Sequence, residues 1–301
     1  MTYCVALSVD EGIVFLSDTR TNAGVDHIST ARKMSVFEQP GERVLVLLGA
    51  GNLSLTQAVL RELSEPSDPL EPTLWTVSTM ADAAAVVGRA VRNVHQRDSQ
   101  ALQQFGVEFN CSFILGGQIA QGDAGDADEH APRTVPRPRL FMIYSAGNFI
   151  EASSVNPYFQ IGESKYGKPI IDRVLVPQTP LDEAAKCALI SMDSTLRSNL
   201  SVGLPLDLLV YEKDALRVTR FVTVTQDNAY YQMIHRTWGD RLRQVFAEIP
   251  DPDWRDTAAI PHADIEGESL LVRAPSAAAH DALDVRPAQT LAQSDKPKTP
   301  R

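Results

Sequence analysis

From Thr2 to Leu48 the chain alternates short apolar runs with turns and never settles into a helical period, which limits its fold more than any other feature. Residues 2–9 are rich in β-branched and apolar side chains, Asp10-Glu11-Gly12 supplies a turn whose glycine can take positive φ, and residues 13–17 resume the apolar run. That is a hairpin beginning almost at the first residue. Residues 33–37 and 43–48 make a second pair across Glu38-Gln39-Pro40-Gly41-Glu42, whose Pro-Gly step is a strong turn signal. Four strands therefore precede any helix.

After Gly49-Ala50-Gly51 the period changes. Leu53, Thr56, Leu60 and Leu63 keep helical spacing with Asn52 placed to cap, and a second helix over residues 78–98 puts Met80, Ala84, Val87, Val91 and Val94 on one face. Apolar alternation returns over residues 108–118 and 140–155, the latter turning at Ser145-Ala146-Gly147-Asn148, with 121–139 as an exposed acidic, then Pro-rich, loop. Helices at 165–174 and 181–196, strands at 206–211 and 218–224, and a closing helix at 228–247 complete the pattern. Grouped strands between helix pairs suit antiparallel sheets with helices on their outer faces. The predicted architecture is α+β, a four-layer αββα sandwich of two stacked antiparallel sheets.

Composition narrows the function. With 28 Lys and Arg against 38 Asp and Glu the net charge is -10, which gives no field for phosphate backbones, so nucleic acid is not expected as a partner. Cys4, Cys111 and Cys187 are far apart and odd in number, which argues against a disulfide framework or a cysteine zinc site and for a reducing compartment. No run approaches the roughly 18 apolar residues of a membrane span, and no basic residue opens the N-terminus, so a cytoplasmic protein without membrane contact is expected. The histidines at 27, 95, 130, 235, 262 and 280 show no HExxH or close pairing and read as surface or cap residues. No metal or cofactor is called for. Gly49-Ala50-Gly51-Asn52-Leu53-Ser54 imitates a dinucleotide loop, but Ser54 stands where the third glycine belongs, and four preceding hairpin strands contradict a βαβ unit.

The start of the chain carries the chemistry. Threonine at position 2 is small enough for the initiator methionine to be trimmed, leaving the Thr2 α-amine beside its own hydroxyl. An amine of pKa about 7.7 to 8.0 can take that hydroxyl proton through a water. Hairpin pairing returns Ser17-Asp18-Thr19-Arg20 toward residue 2, and Lys33 opens the third strand, so an inward lysine can pair with Asp18 and tune Thr2. Gly51, between strand and helix, can offer its N–H to an oxyanion.

These features resemble the N-terminal-threonine hydrolase pattern of proteasome β-subunits. The resemblance is closer to their bacterial homologues of the Anbu (ancestral β-subunit) family. It runs through Ser17-Asp18-Thr19-Arg20-Thr21-Asn22-Ala23-Gly24-Val25-Asp26, Phe37-Glu38-Gln39-Pro40-Gly41-Glu42-Arg43 and Ser198-Asn199-Leu200-Ser201-Val202-Gly203-Leu204-Pro205-Leu206-Asp207. It covers residues 2–248 and implies the αββα sandwich, a homo-oligomeric ring or ring-like helix, and hydrolysis of peptide or protein amides inside it. Thr2 would be nucleophile and base, Asp18 would orient Lys33, Lys33 would tune Thr2, and Gly51 would donate to the oxyanion. Thr21, Asn22, Gly49 and Ala50 would line the cleft for an extended peptide.

Two later positions depart from the pattern. Gly162-Glu163-Ser164 replaces a Gly-Ser-Gly turn, which leaves the helper serine at Ser164 or lacking; Ser198-Asn199-Leu200-Ser201 keeps Ser201 but puts Ser198 where an aspartate is expected. An oligomeric scaffold or binding chamber with little peptidase activity is the alternative that these departures allow. Residues 2–250 are expected to form the N-terminal-nucleophile hydrolase domain, and 251–273 an extension. Residues 274–301, with seven Ala and four Pro, no aromatic and three large aliphatics, cannot offset their chain entropy and are expected to be a disordered tail. Leu53, Leu60, Val87, Val91, Ile190 and Leu196 exceed what a solvated helix face needs, so some are expected between subunits.

Overall fold

The computed structural model describes residues 2–23, 27–65, 70–120 and 135–252. Strands β1 (Tyr3–Val9) and β2 (Gly12–Asp18) form the expected first hairpin, with Cys4 opposite Ser17 and Val9 opposite Gly12. Two strands that apolar alternation does not reveal come next, β3 (Arg20–Ala23) and β4 (His27–Thr30). Their sequences, RTNA and HIST, are mostly polar because they pair only with each other and join neither main sheet. After them β5 (Met34–Gln39) and β6 (Arg43–Gly51) give the second expected hairpin, so six strands rather than four precede the first helix.

Helix α1 (Leu53–Ser64) starts at Asn52, whose side chain accepts from the Ser54 N–H; α2 (Met80–Gln104) starts at Thr79, which accepts from the Asp82 N–H. Strands β7 (Cys111–Ile119), β8 (Arg139–Ile143) and β9 (Phe149–Glu151) follow, and the turn expected at 145–148 separates the last two. The short β10 (Tyr158–Gly162), missed by the pattern, follows Pro157 and ends on a glycine. Helix α3 (Lys168–Val174) begins later than expected, where Pro169 occupies its first turn, and α4 (Leu181–Ser198) follows. The described part closes with β11 (Leu206–Glu212), β12 (Arg220–Val224) and α5 (Ala229–Glu248). The expected tail, most of the extension and most of the 121–139 loop lie outside the described residues.

The strands make two five-stranded antiparallel sheets, in the orders β10-β1-β2-β11-β12 and β5-β6-β7-β8-β9. Strand alternation then sorts the core into three clusters. Tyr3, Val5 and Leu7 face Ile171, Ala188, Met192 and Ile234 of the C-terminal helices. Cys4, Ala6, Ile13 and Phe15 on the opposite face meet Val44, Val46, Leu48 and Ile114 of the second sheet. Leu45, Leu47 and Phe113 turn away from that layer and pack on Leu55, Val59, Val87 and Val91. The fold is α+β, and no helix among the described residues is long and apolar enough to cross a membrane.

Val87 and Val91 are fully buried within the chain, so they are not available between subunits. They sit on the face of α2 that covers the second sheet, which a helical wheel alone cannot tell from an outward face. Leu53 of the same set is exposed, and further exposed apolar residues gather on the last turns of α5, at Leu242, Val245 and Phe246.

Tyr3 ties the edge of the first sheet to α4. Its buried hydroxyl shares a hydrogen bond with Ser191 Oγ (2.7 Å) and accepts one from Gln160 Nε2, and burial pushes its proton affinity up. Tyr3→Phe leaves both partners short of a bond, so urea unfolding should show a loss of about 1–3 kcal/mol. The Tyr3→Phe/Ser191→Ala pair should lose less than the sum of its parts. A silent Tyr3→Phe would show that the hydroxyl contributes nothing.

Candidate active site

Thr2 is nearly buried one residue ahead of β1. Its carbonyl accepts the Glu163 N–H (2.8 Å), which extends the β1–β10 ladder past Tyr3 and Gly162. Strand alternation then places the Thr2 side chain on the face of Cys4 and Ala6, toward the second sheet. The approach of the 162–164 turn needs a glycine: Gly162 has φ +83, and a Cβ there would sit 1.9 Å from the Thr2 carbonyl oxygen.

Asp18 ends β2 beside this point. Its Oδ1 accepts the Tyr3 N–H (3.0 Å), so the carboxylate holds the backbone immediately after Thr2. Oδ2 faces Lys33 Nζ at 3.2 Å as an ion pair without hydrogen-bond alignment, and both side chains are almost fully buried. Lys33 directs its hydrogen bonds to two carbonyls, Asp18 O (3.3 Å) and Arg20 O (2.6 Å). Burial raises the Asp18 proton affinity above the usual carboxylate value; Lys33, the Tyr3 N–H and the Gly203 N–H pull the other way. Cys4, beside the pair, is held well above its ordinary value, first by burial and then by the Asp18 charge, and is no nucleophile.

Gly51 closes β6. The Gly49 N–H donates to Lys33 O (2.9 Å) and the Asn52 N–H to Asn110 O (2.8 Å), so odd-numbered N–H groups of this segment face β5 and even-numbered ones face β7. The Gly51 N–H therefore points to the Lys33 side, past the end of β5 pairing at Met34 and Leu48. Thr21 is half-buried in β3, the strand that carries Asn22, while the Ala50 methyl is packed in the layer between the sheets. Ser164 follows the residue that bonds Thr2, and its own N–H returns to Gly162 O (2.9 Å). Ser201 Oγ bonds Asn199 Oδ1 (2.6 Å), and Ser198 is the last residue of α4. The structure thus brings Asp18 and Lys33 together beside the backbone that follows Thr2; its described contacts join neither Ser164 Oγ nor Ser201 Oγ to Thr2.

Sequence reading missed four parts of this neighbourhood. The Arg20 carbonyl and the Glu163 and Gly203 N–H groups are backbone atoms, which no residue type advertises. Asp207 did leave a signal, an acid inside an apolar strand. It lies opposite Ser17, accepts from Thr223 Oγ1 (2.9 Å) and has Arg32 Nε 3.9 Å from Oδ2, while Ser17 Oγ and Asp207 Oδ2 have no hydrogen-bond partner among the described residues. No group of three or more metal-ligating side chains converges among the described residues.

Two antiparallel sheets that share an apolar layer, with a buried threonine, aspartate and lysine at one end, are the parts of a proteasome β-subunit-type protein. No known family model and no curated protein matches the chain, but solved structures do. It is 51% identical to Anbu (ancestral beta-subunit) from Yersinia bercovieri over 83% of this chain and 99% of that one, with a TM-score of 0.73. A Gly-1 mutant of Anbu from Hyphomicrobium sp. strain MC1 is 49% identical, over 84% of this chain and 100% of that one (TM-score 0.74). The Anbu complex of Pseudomonas aeruginosa, described as a helical assembly, is 46% identical over 83% and 98% (TM-score 0.74). The chain belongs to the Anbu family.

Because Lys33 lowers the Asp18 proton affinity, Lys33→Ala should move the Asp18 titration midpoint further up. Infrared titration of the carboxyl band, taken as the difference from Asp18→Asn, reads this directly. An unchanged or lower midpoint would show that the two charges do not interact.

Proposed function

We propose that removal of Met1 turns this chain into an N-terminal threonine hydrolase that cleaves peptide amides inside a homo-oligomeric chamber. The observation that carries the reading is the double engagement of Asp18, which binds the backbone next to Thr2 and also faces the buried Lys33. A buried ion pair is expensive to hold and contributes little to stability over apolar packing. Its position beside the backbone that follows Thr2, at the head of a strand, suits chemistry better than architecture. The three apolar clusters support the four-layer αββα order of the proteasome β-subunit type.

In this mechanism the Thr2 α-amine takes the hydroxyl proton through a water, and Thr2 Oγ1 attacks the scissile carbonyl carbon. The oxyanion that forms accepts from the Gly51 N–H. The protonated amine returns its proton to the leaving nitrogen as the C–N bond breaks, leaving an ester on Thr2. Water, deprotonated by the same amine, attacks that ester, and its departing Oγ1 recovers the proton. Lys33, fixed by Asp18 and two carbonyls, keeps positive charge near Oγ1 throughout. An extended peptide would add along Thr21 and Asn22 on one side and the Gly49–Gly51 edge on the other, which calls for backbone pairing more than for particular side chains. Ser164 stands as helper for the amine, and Ser201, through Asn199, as a brace for the turn behind Asp18.

Oligomerisation rests on the helical assembly of the Pseudomonas aeruginosa relative and on the apolar end of α5, where Leu242, Val245 and Phe246 are exposed. A chamber would also keep an indiscriminate nucleophile from folded proteins. Thr2→Ala should lower peptide hydrolysis on the order of a thousandfold or more while the assembly stays intact by light scattering. Thr2→Ser should keep part of the rate. Equal turnover by the alanine variant contradicts the assignment, and a parent protein that assembles without any hydrolysis favours the scaffold reading.

A further inference from the structure

Around Gly203, whose N–H faces Asp18, the molecule carries a feature that hydrolysis does not use. A cleft of about 550 Å³, bordered by α4, α5 and the 200–204 loop, is lined by Arg20, Arg197, His235 and Arg236. Among the described residues none of the three guanidiniums is ion-paired: Arg20 donates to the Leu200 carbonyl (3.0 Å) and Arg236 to the Gln232 amide oxygen (3.0 Å). Asp193, the buried acid beside the cleft, is engaged by His235 Nδ1 (2.6 Å) and by the Tyr231 hydroxyl (3.1 Å). With Nδ1 donating to Asp193, the half-exposed ring has Nε2 left for the cleft. On a chain of net charge -10, the described residues of this cleft set three guanidiniums against the single carboxylate of Asp193, a local excess of positive charge.

Guanidinium forks recognise phosphate and carboxylate bidentately, and like cations gathered without counter-charge are relieved by an anion. The volume is that of a small-molecule site, and the cations come from β3, α4 and α5, so a ligand with several charged groups suits it better than a single phosphate. Arg20 links the cleft to the aspartate. Its guanidinium rests on Gly203, where a Cβ would lie 2.2 Å from Arg20 Cζ, and the Gly203 N–H faces Asp18.

We propose that this cleft binds a small, multiply charged oxyanion, bearing phosphate or carboxylate groups, and that its occupancy alters the surroundings of Asp18 through Arg20 and Gly203. Only the consequence for hydrolysis rests on the function proposed above; the binding and its effect on Asp18 do not. Calorimetry on the full-length assembly, at physiological ionic strength, with inorganic tripolyphosphate in one arm and citrate in the other, tests it. Saturable binding is expected in at least one arm, and the stronger arm identifies the oxyanion. Arg197→Ala and Arg236→Ala should each weaken that binding by about tenfold, and the double variant by more. The Asp18 carboxyl infrared band should shift with the ligand in the parent and stay still in the double variant.

No binding in either arm, or equal binding by parent and double variant, overturns the site. So does a double variant of altered assembly size when the parent binds neither probe, since the guanidiniums then serve contacts between copies. Binding without a shift of the Asp18 band overturns the link to the aspartate. None of these readouts requires hydrolysis, so a chain that binds the anion and cleaves nothing keeps this site and loses only the hydrolase reading.

Discussion

A carboxylate stripped of water must find partners or take up a proton, and the arrangement around Thr2 follows from how Asp18 meets that demand. One oxygen takes the Tyr3 N–H and so fixes the strand that begins at Thr2; the other faces Lys33, which also holds the carbonyls of Asp18 and Arg20. Three segments, the starts of β1 and β5 and the link from β2 to β3, are thereby held together at one point. Removing either charge leaves the other buried alone, at a cost of about 3–5 kcal/mol. The pair can therefore be replaced as a unit more readily than it can be broken.

Around this point the fold supplies backbone atoms in preference to side chains. Thr2 is held by the Glu163 N–H, Lys33 by two carbonyls, and the Gly51 N–H is left outside the ladder because β5 stops pairing at Met34. Such atoms stay in place only while the strands keep their register. The sheets are thus part of the site, and the apolar layer formed by Cys4, Ala6, Phe15, Val46 and Ile114 contributes to its geometry as well as to stability.

Much of this was legible in the sequence, for a definite reason. The hairpins 2–17 and 33–48 have one face toward the core between the sheets, and their turns carry glycine and proline, so periodicity and turn chemistry agree. Thr2, Asp18 and Lys33 stood out because polar residues at the ends of apolar strands need an explanation. What escaped was what lacks an apolar face: β3 and β4, which pair only with each other, and the five-residue β10. That Val87 and Val91 are covered within the chain was not legible either, because periodicity identifies an apolar stripe without saying what covers it. The cleft between α4 and α5 was invisible, since Arg20, Arg197 and Arg236 are far apart in the chain and each alone reads as a solvated charge.

The proposed hydrolysis requires that Thr2 be exposed by loss of Met1 and be chemically competent. Intact mass spectrometry of the native protein, before and after a peptide epoxyketone directed at N-terminal threonine, tests both parts together. The expected result is a mass lower than the full sequence by one methionine residue, and an adduct of one inhibitor per chain that Thr2→Ala does not form. A chain that retains Met1, or one that loses it and still takes up no inhibitor, would contradict it.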